Sequence, residues 1–232
     1  MKKIINSRSL IIIYLFLASF SLYAQNVLDR LDPLSGGVLF RNKVFNKNSE
    51  QVKGSPYLND EFTISEITGA NKLFLTRYNI YKDEVEISYE NETFIIPKDK
   101  RFDTILNKNL NYKLVLTNYT SVNDENTYGY LIELFSEKET GLFKREKIIL
   151  IPARESGNSY SRSVPSSYNK ISPDFYLKTN SETIIPFPKN KKALITLYPK
   201  NSQNISKYLN DAKISFKKEV DLIKLTKFIG TL

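Results

Sequence analysis

The chain has 232 residues and a formal net charge of +9, and it contains neither cysteine nor histidine. The lack of both residue types excludes Ser-His-Asp and Cys-His hydrolysis, thiol redox chemistry and the usual zinc sites. Carboxylate-pair catalysis, a serine-lysine dyad, cation binding through oxygen ligands and a purely binding role remain open.

The first 24 residues have the order of a secretory signal. Two lysines are followed by an apolar run at residues 10–17 and then by an exit rich in serine and alanine. An uncleaved anchor is the alternative, but this run is shorter than the about 20 residues of a membrane-spanning helix. We expect cleavage after Ala24 and a periplasmic protein of net charge +6, because the leader carries Lys2, Lys3 and Arg8.

Residues 25–180 are predicted to form one antiparallel β domain, either a barrel or a sandwich. Short runs rich in Val, Ile, Phe, Tyr and Thr alternate with polar turns. In EFTISEI, residues 61–67, we expect Phe62, Ile64 and, after a slip in the alternation, Ile67 to point inward. In EVEISY, residues 84–89, Val85 and Ile87 are predicted to share the buried face.

The residue composition and the spacing of apolar residues change towards the end of the chain. Residues 152–172 are dense in Ser, Gly, Pro and Tyr and are predicted to form a long loop. Residues 181–232 are predicted to form a basic helical segment of three short helices. In the last helix, apolar residues recur at helical spacing and Gly230 stands where a C-cap belongs; the apolar stripe consists of Leu222, Leu225 and Ile229.

Glu84 and Glu86 are the best candidate pair of catalytic carboxylates. Alternate strand residues lie roughly 7 Å apart, within the about 6.5 to 9.5 Å used by inverting glycosidases. Any alternating strand with acids on its solvated face has the same geometry, and this plainer interpretation is the one we favour. From the preceding strand, Arg77 and Tyr78 are added as candidate binding residues.

The positive charge is concentrated at the C-terminus. Residues 189–232 carry ten lysines and three acids, a net charge of +7, whereas residues 25–188 sum to −1. Lys217, Lys218, Lys224 and Lys227 are therefore candidate contacts for an acidic envelope protein or an anionic envelope surface, each lysine near an anionic membrane contributing about 1 kcal/mol. Nucleic acid is not expected, because no arginine is interleaved with these lysines. The alternative is that lysine simply fills the solvated faces of the helices.

Three segments carry a family resemblance. GSPYLNDEF (residues 54–62), RYNIYKDEVEI (residues 77–87) and the Lys-rich tail, together with a signal ending in Ala-Gln, resemble an uncharacterised family of secreted Bacteroidota proteins. The resemblance implies a location in the cell envelope and a β-rich body with a helical tail. It implies no chemistry.

These patterns predict a non-catalytic periplasmic or envelope binding or assembly protein, without a cofactor or a metal. Two alternatives stay open at this point. The first is a carboxylate-dependent hydrolase of envelope glycan. The second is a carrier of lipid or another small ligand, which would require a closed barrel with a hollow apolar interior.

Overall fold

The computed structural model describes residues 41–42, 52–155, 162–179 and 183–232. The predicted signal lies outside these residues. The described strands join into one antiparallel sheet. In chain order they are β1 (Arg41–Asn42), β2 (Thr63–Ile67), β3 (Phe74–Asn79), β4 (Glu84–Tyr89), β5 (Glu92–Ile95), β6 (Thr104–Asn107), β7 (Tyr112–Thr120), β8 (Asn126–Glu137), β9 (Thr140–Ile151), β10 (Ser167–Lys178) and β11 (Ile184–Pro186).

The spatial order of the sheet is β1-β5-β4-β3-β2-β6-β7-β8-β9-β10-β11. The predicted mainly antiparallel β fold with small C-terminal helices is confirmed. The two end strands do not pair with each other, so the sheet is open and not a barrel. Along β10 the register shifts between Ile171 and Asp174, where Pro173 lacks a backbone N–H and interrupts the ladder.

One face of β2 to β8 encloses the main core. The predicted inward residues Val85 and Ile87 are completely buried there. In β2 the prediction is right for Ile67, which is buried, and wrong for Ile64, which is 42% exposed while Ser65 points inward. A shift of one residue moves every side chain of a strand to the opposite face, and the polar Ser65 is accommodated by a 2.7 Å hydrogen bond to Thr76.

Three helices cover one face of β8, β9 and β10 and form a second core. They are α1 (Lys191–Leu197), α2 (Ser202–Asp211) and α3 (Glu219–Ile229). The predicted stripe is buried, and it packs in one cluster with Leu142 of β9 and Leu177 of β10. Lys144 of β9 adds a 2.9 Å ion pair to Glu219 at the start of α3. The C-terminal segment is therefore part of the same packed body as the sheet.

The boundaries differ from the prediction in two places. β10 begins at Ser167, inside the predicted loop, and β11 lies beyond residue 180. Residues 156–161 of that loop are outside the described part of the chain. Among the described residues, no helix is long and apolar enough to cross a membrane.

Candidate functional site

Residues 53–62 form a segment, here called the strap, that runs between β10 and β3. At one end, the Tyr168 N–H donates to the Lys53 carbonyl over 2.8 Å, and at the other the Leu58 N–H donates to the Tyr78 carbonyl over 2.9 Å. Gly54 has a φ of +76°, and a Cβ there would lie 2.6 Å from the carbonyl oxygen of Tyr168. The start of the GSPYLNDEF segment thus requires glycine both for its conformation and for its close contact with β10.

Beneath the strap, Arg77 of β3 forms an ion pair with Glu86 of β4. Nε and Nη2 of Arg77 each lie 2.9 Å from Oε2 of Glu86. The guanidinium is stacked between two rings of the strap, 3.9 Å from the Tyr57 centroid and 4.3 Å from the Phe62 centroid. The Tyr57 hydroxyl donates to the same carboxylate at 3.2 to 3.3 Å.

The expectation that Glu86 lies on a solvated strand face is wrong. Its side chain has no exposed surface, because the strap covers the outer face of β3 and β4. A general acid or base must come within hydrogen-bond reach of a substrate, and this carboxylate is enclosed by Arg77 and Tyr57. Glu84 is half-buried and borders a cavity of about 290 Å³ together with Asp83 and Lys98.

Tyr78, the other candidate on β3, faces the core. Its hydroxyl donates to Asp83 over 2.7 Å, and the same carboxylate oxygen accepts from the backbone N–H of Tyr130 over 3.2 Å. Burial raises the pKa of Tyr78 well above its usual value, and the Asp83 carboxylate raises it further. Lys98 completes the network with an ion pair to Asp83. Tyr78 therefore has a structural role in this conformation and is not on a binding surface.

The four lysine candidates do not share a site with Arg77 and Tyr78 of β3. Lys217, Lys218, Lys224 and Lys227 are exposed on or beside α3. Three strands, β2, β6 and β7, separate β3 from the strands on which the helices pack. The structure therefore keeps the lysine candidates together and places Arg77 and Tyr78 elsewhere.

Every lysine of residues 189–232 is exposed. The surface that these lysines form is called here the basic helical layer. Its ten members are Lys189, Lys191, Lys192, Lys200, Lys207, Lys213, Lys217, Lys218, Lys224 and Lys227. Two of the three acids in this segment have other partners. Glu219 pairs with Lys144 of β9, and Asp221 accepts from the Ser215 N–H at 3.1 Å and lies 3.9 Å from Lys224.

A shallow groove crosses the basic helical layer between α2 and α3. Its volume is about 480 Å³, and its lining is Asn204, Lys207, Tyr208, Asp211, Ala212 and Phe228. The rings of Tyr208 and Phe228 stack face to face at its floor, with centroids 4.0 Å apart and planes 3° apart. Sequence reasoning missed this groove, because the two aromatics lie 20 residues apart on separate helices and no periodic pattern links them.

Comparison of the chain with protein-family models, with curated proteins and with solved structures finds no match. The function is therefore argued from the site geometry.

Proposed function

We propose that this protein is a non-catalytic binding or assembly protein of the periplasm or cell envelope, and that the basic helical layer is its contact surface. The observation that carries this proposal is the exposure of all ten lysines of residues 189–232. Clustered positive charge accelerates encounter with a negatively charged partner. The envelope location rests on the secretory pattern of the first 24 residues.

The layer is packed onto the sheet by buried side chains and ion pairs. Leu194, Ile205 and Leu225, one from each helix, are completely buried in the second core. Lys144 of β9 links the sheet to the start of α3, because its ammonium lies 2.9 Å from the Glu219 carboxylate of α3 and 3.2 Å from the Glu146 carboxylate of β9. A fixed array of charges requires less ordering on association than a flexible tail does, which favours a binding surface.

Neither alternative has comparable support. A glycan hydrolase built on Glu84 and Glu86 would need Glu86 to reach a substrate, and that side chain is enclosed beneath the strap. A carrier would need a hollow interior, and large side chains fill the main core of the described sheet. Those side chains include Phe74, Tyr78, Phe94, Phe102 and Tyr130.

The test is capture of partners from cross-linked native envelope. The bait is the full-length chain with a tag on a flexible linker after Leu232, compared with a variant in which Lys217, Lys218 and Lys224 are all changed to Glu. The matched control has the same change to Glu at Lys72, Lys82 and Lys100, which are exposed on the β part of the molecule. We expect loss of the captured partner only in the first variant. Equal capture by all three baits would contradict the proposal.

A further inference from the structure

We infer that the groove between α2 and α3 binds an apolar or aromatic side chain from an acidic protein segment, with the surrounding lysines contacting its carboxylates. This inference rests on the proposed function and specifies the chemistry of the partner. It depends on two features that coincide in one place, an aromatic floor and a positively charged surround.

The floor of the groove is preformed. The Tyr208 and Phe228 rings are already stacked on each other, and the Tyr208 hydroxyl lies 3.4 Å from the Lys224 carbonyl oxygen, which it can donate to. Phe228 and Tyr208 also pack against the second core, which restricts their rotamers. A ring held in this way provides contact area at a low cost in conformational entropy, a property of aromatic anchors in interfaces.

Positive charge borders this floor. Lys207 lines the groove itself. On the α3 side, Lys224 lies one helical turn before Phe228 and is exposed, whereas the Lys227 ammonium lies 5.5 Å from the ring centroid of Phe135 of β8. Asp211 is the one exposed acid of residues 189–232 and lies at the groove, where it would favour a segment whose carboxylates flank the anchor and do not enter the groove with it.

The size and openness of the groove suit an anchor side chain. A volume of about 480 Å³ is at the low end of the range of ligand pockets, about 300 to 1,000 Å³. Five of the six lining residues belong to α2 or directly follow it, and Phe228 of α3 is the sixth. A groove of this volume can take one side chain of an extended segment that passes over it.

Charge and groove should contribute to different steps of binding. Exposed lysines act mainly on the association rate and are screened by salt. A desolvated aromatic contact at the centre of an interface acts mainly on dissociation. The affinity should consequently fall with ionic strength, whereas blocking the groove should weaken binding even at low salt.

The experiment pans the full-length protein against a displayed library of random twelve-residue peptides, then measures binding of the enriched peptides by fluorescence anisotropy. The blocking variant is Asn204→Trp, because Asn204 is exposed and lines the groove. The matched control is Gln203→Trp, another exposed position of α2, which does not line the groove. We expect acidic peptides with at least one aromatic residue, weakened about tenfold by Asn204→Trp and within about twofold of wild type for Gln203→Trp.

Enriched peptides without acidic bias, an absence of enriched peptides, or equal weakening by both substitutions would overturn the inference. So would tight binding to phosphatidylglycerol vesicles that Asn204→Trp does not affect, since the layer would then contact a membrane surface.

Envelope capture separates this inference from the proposed function. Loss of capture in the lysine variant but not in Asn204→Trp overturns only the groove, whereas capture unchanged in both overturns the proposed function itself.

Discussion

Arg77 and Glu86 form an ion pair in which the carboxylate is fully buried and the cation, 15% exposed, is stacked between the rings of Tyr57 and Phe62. The pair joins the GSPYLNDEF segment to the RYNIYKDEVEI segment, two of the three sequence blocks that stand out in the chain. Its geometry explains the density of charged and aromatic residues there as a structural requirement. Removing one partner of such a pair leaves the other charge buried without compensation.

Glu86→Gln should lower the free energy of unfolding by about 3 kcal/mol. The amide keeps the shape of the side chain but removes the charge that balances the guanidinium of Arg77. Urea denaturation followed by circular dichroism measures the change. The control is Glu66→Gln on β2, because Glu66 pairs with Lys108 at 2.7 Å but both side chains are largely exposed. That substitution should lower the free energy of unfolding by at most about 1 kcal/mol. Equal decreases in the two variants would show that the burial of Glu86 does not determine the cost of removing its charge.

The sequence predicted β4 correctly but not the environment of Glu86. Alternation of Val85 and Ile87 with acidic residues reports which side chains share a face, and those two are buried. The opposite face is ordinarily solvated in an antiparallel sheet. Here the strap, more than twenty residues earlier in the chain, covers it, and no pattern local to β4 contains that information. The same holds for the groove, since its floor depends on how α2 and α3 pack.

Gly129→Ala should lower the free energy of unfolding by about 1 to 3 kcal/mol. A Cβ at Gly129 of β8 would lie 2.5 Å from Oδ2 of Asp83. The displaced carboxylate would lose its hydrogen bonds from Tyr78 and from the Tyr130 backbone. Thermal unfolding is the measurement, with Gly230→Ala as control because a Cβ there has no neighbour closer than 3.4 Å. A melting temperature unchanged by Gly129→Ala would mean that Asp83 can move without loss.

Tyr176→Phe should make the protein less sensitive to alkaline pH. Burial raises the pKa of Tyr176 to about 12, and the nearby Asp174 carboxylate contributes to the shift. The unfolded chain loses this proton near pH 10. Between pH 10 and 12 the unfolded state therefore binds fewer protons, so the free energy of unfolding falls as pH rises. Each such tyrosine adds up to about 1.4 kcal/mol per pH unit to the fall.

Urea midpoints measured from pH 9 to 11.5 test this expectation. The midpoint of Tyr176→Phe should decline less steeply than that of the wild type above pH 10. Tyr81→Phe is the control, since Tyr81 is exposed, and its decline should parallel that of the wild type. Parallel curves for wild type and Tyr176→Phe would contradict the expectation.

Deleting residues 181–232 should prevent the β part from folding to its native state. The deletion removes β11 and all three helices, and it uncovers Leu142 and Leu177, which have no exposed surface in the intact chain. A contiguous apolar face of this kind leads to aggregation or loose packing. We expect the truncated chain to bind the dye ANS strongly and to lack the near-ultraviolet circular dichroism of its tyrosines.

The control keeps the chain intact and carries the Lys217, Lys218 and Lys224 changes to Glu, which should leave both signals native because these side chains lie outside the core. A truncated chain with native near-ultraviolet signal and no dye binding would show that the β part is an independent domain, contrary to the shared core.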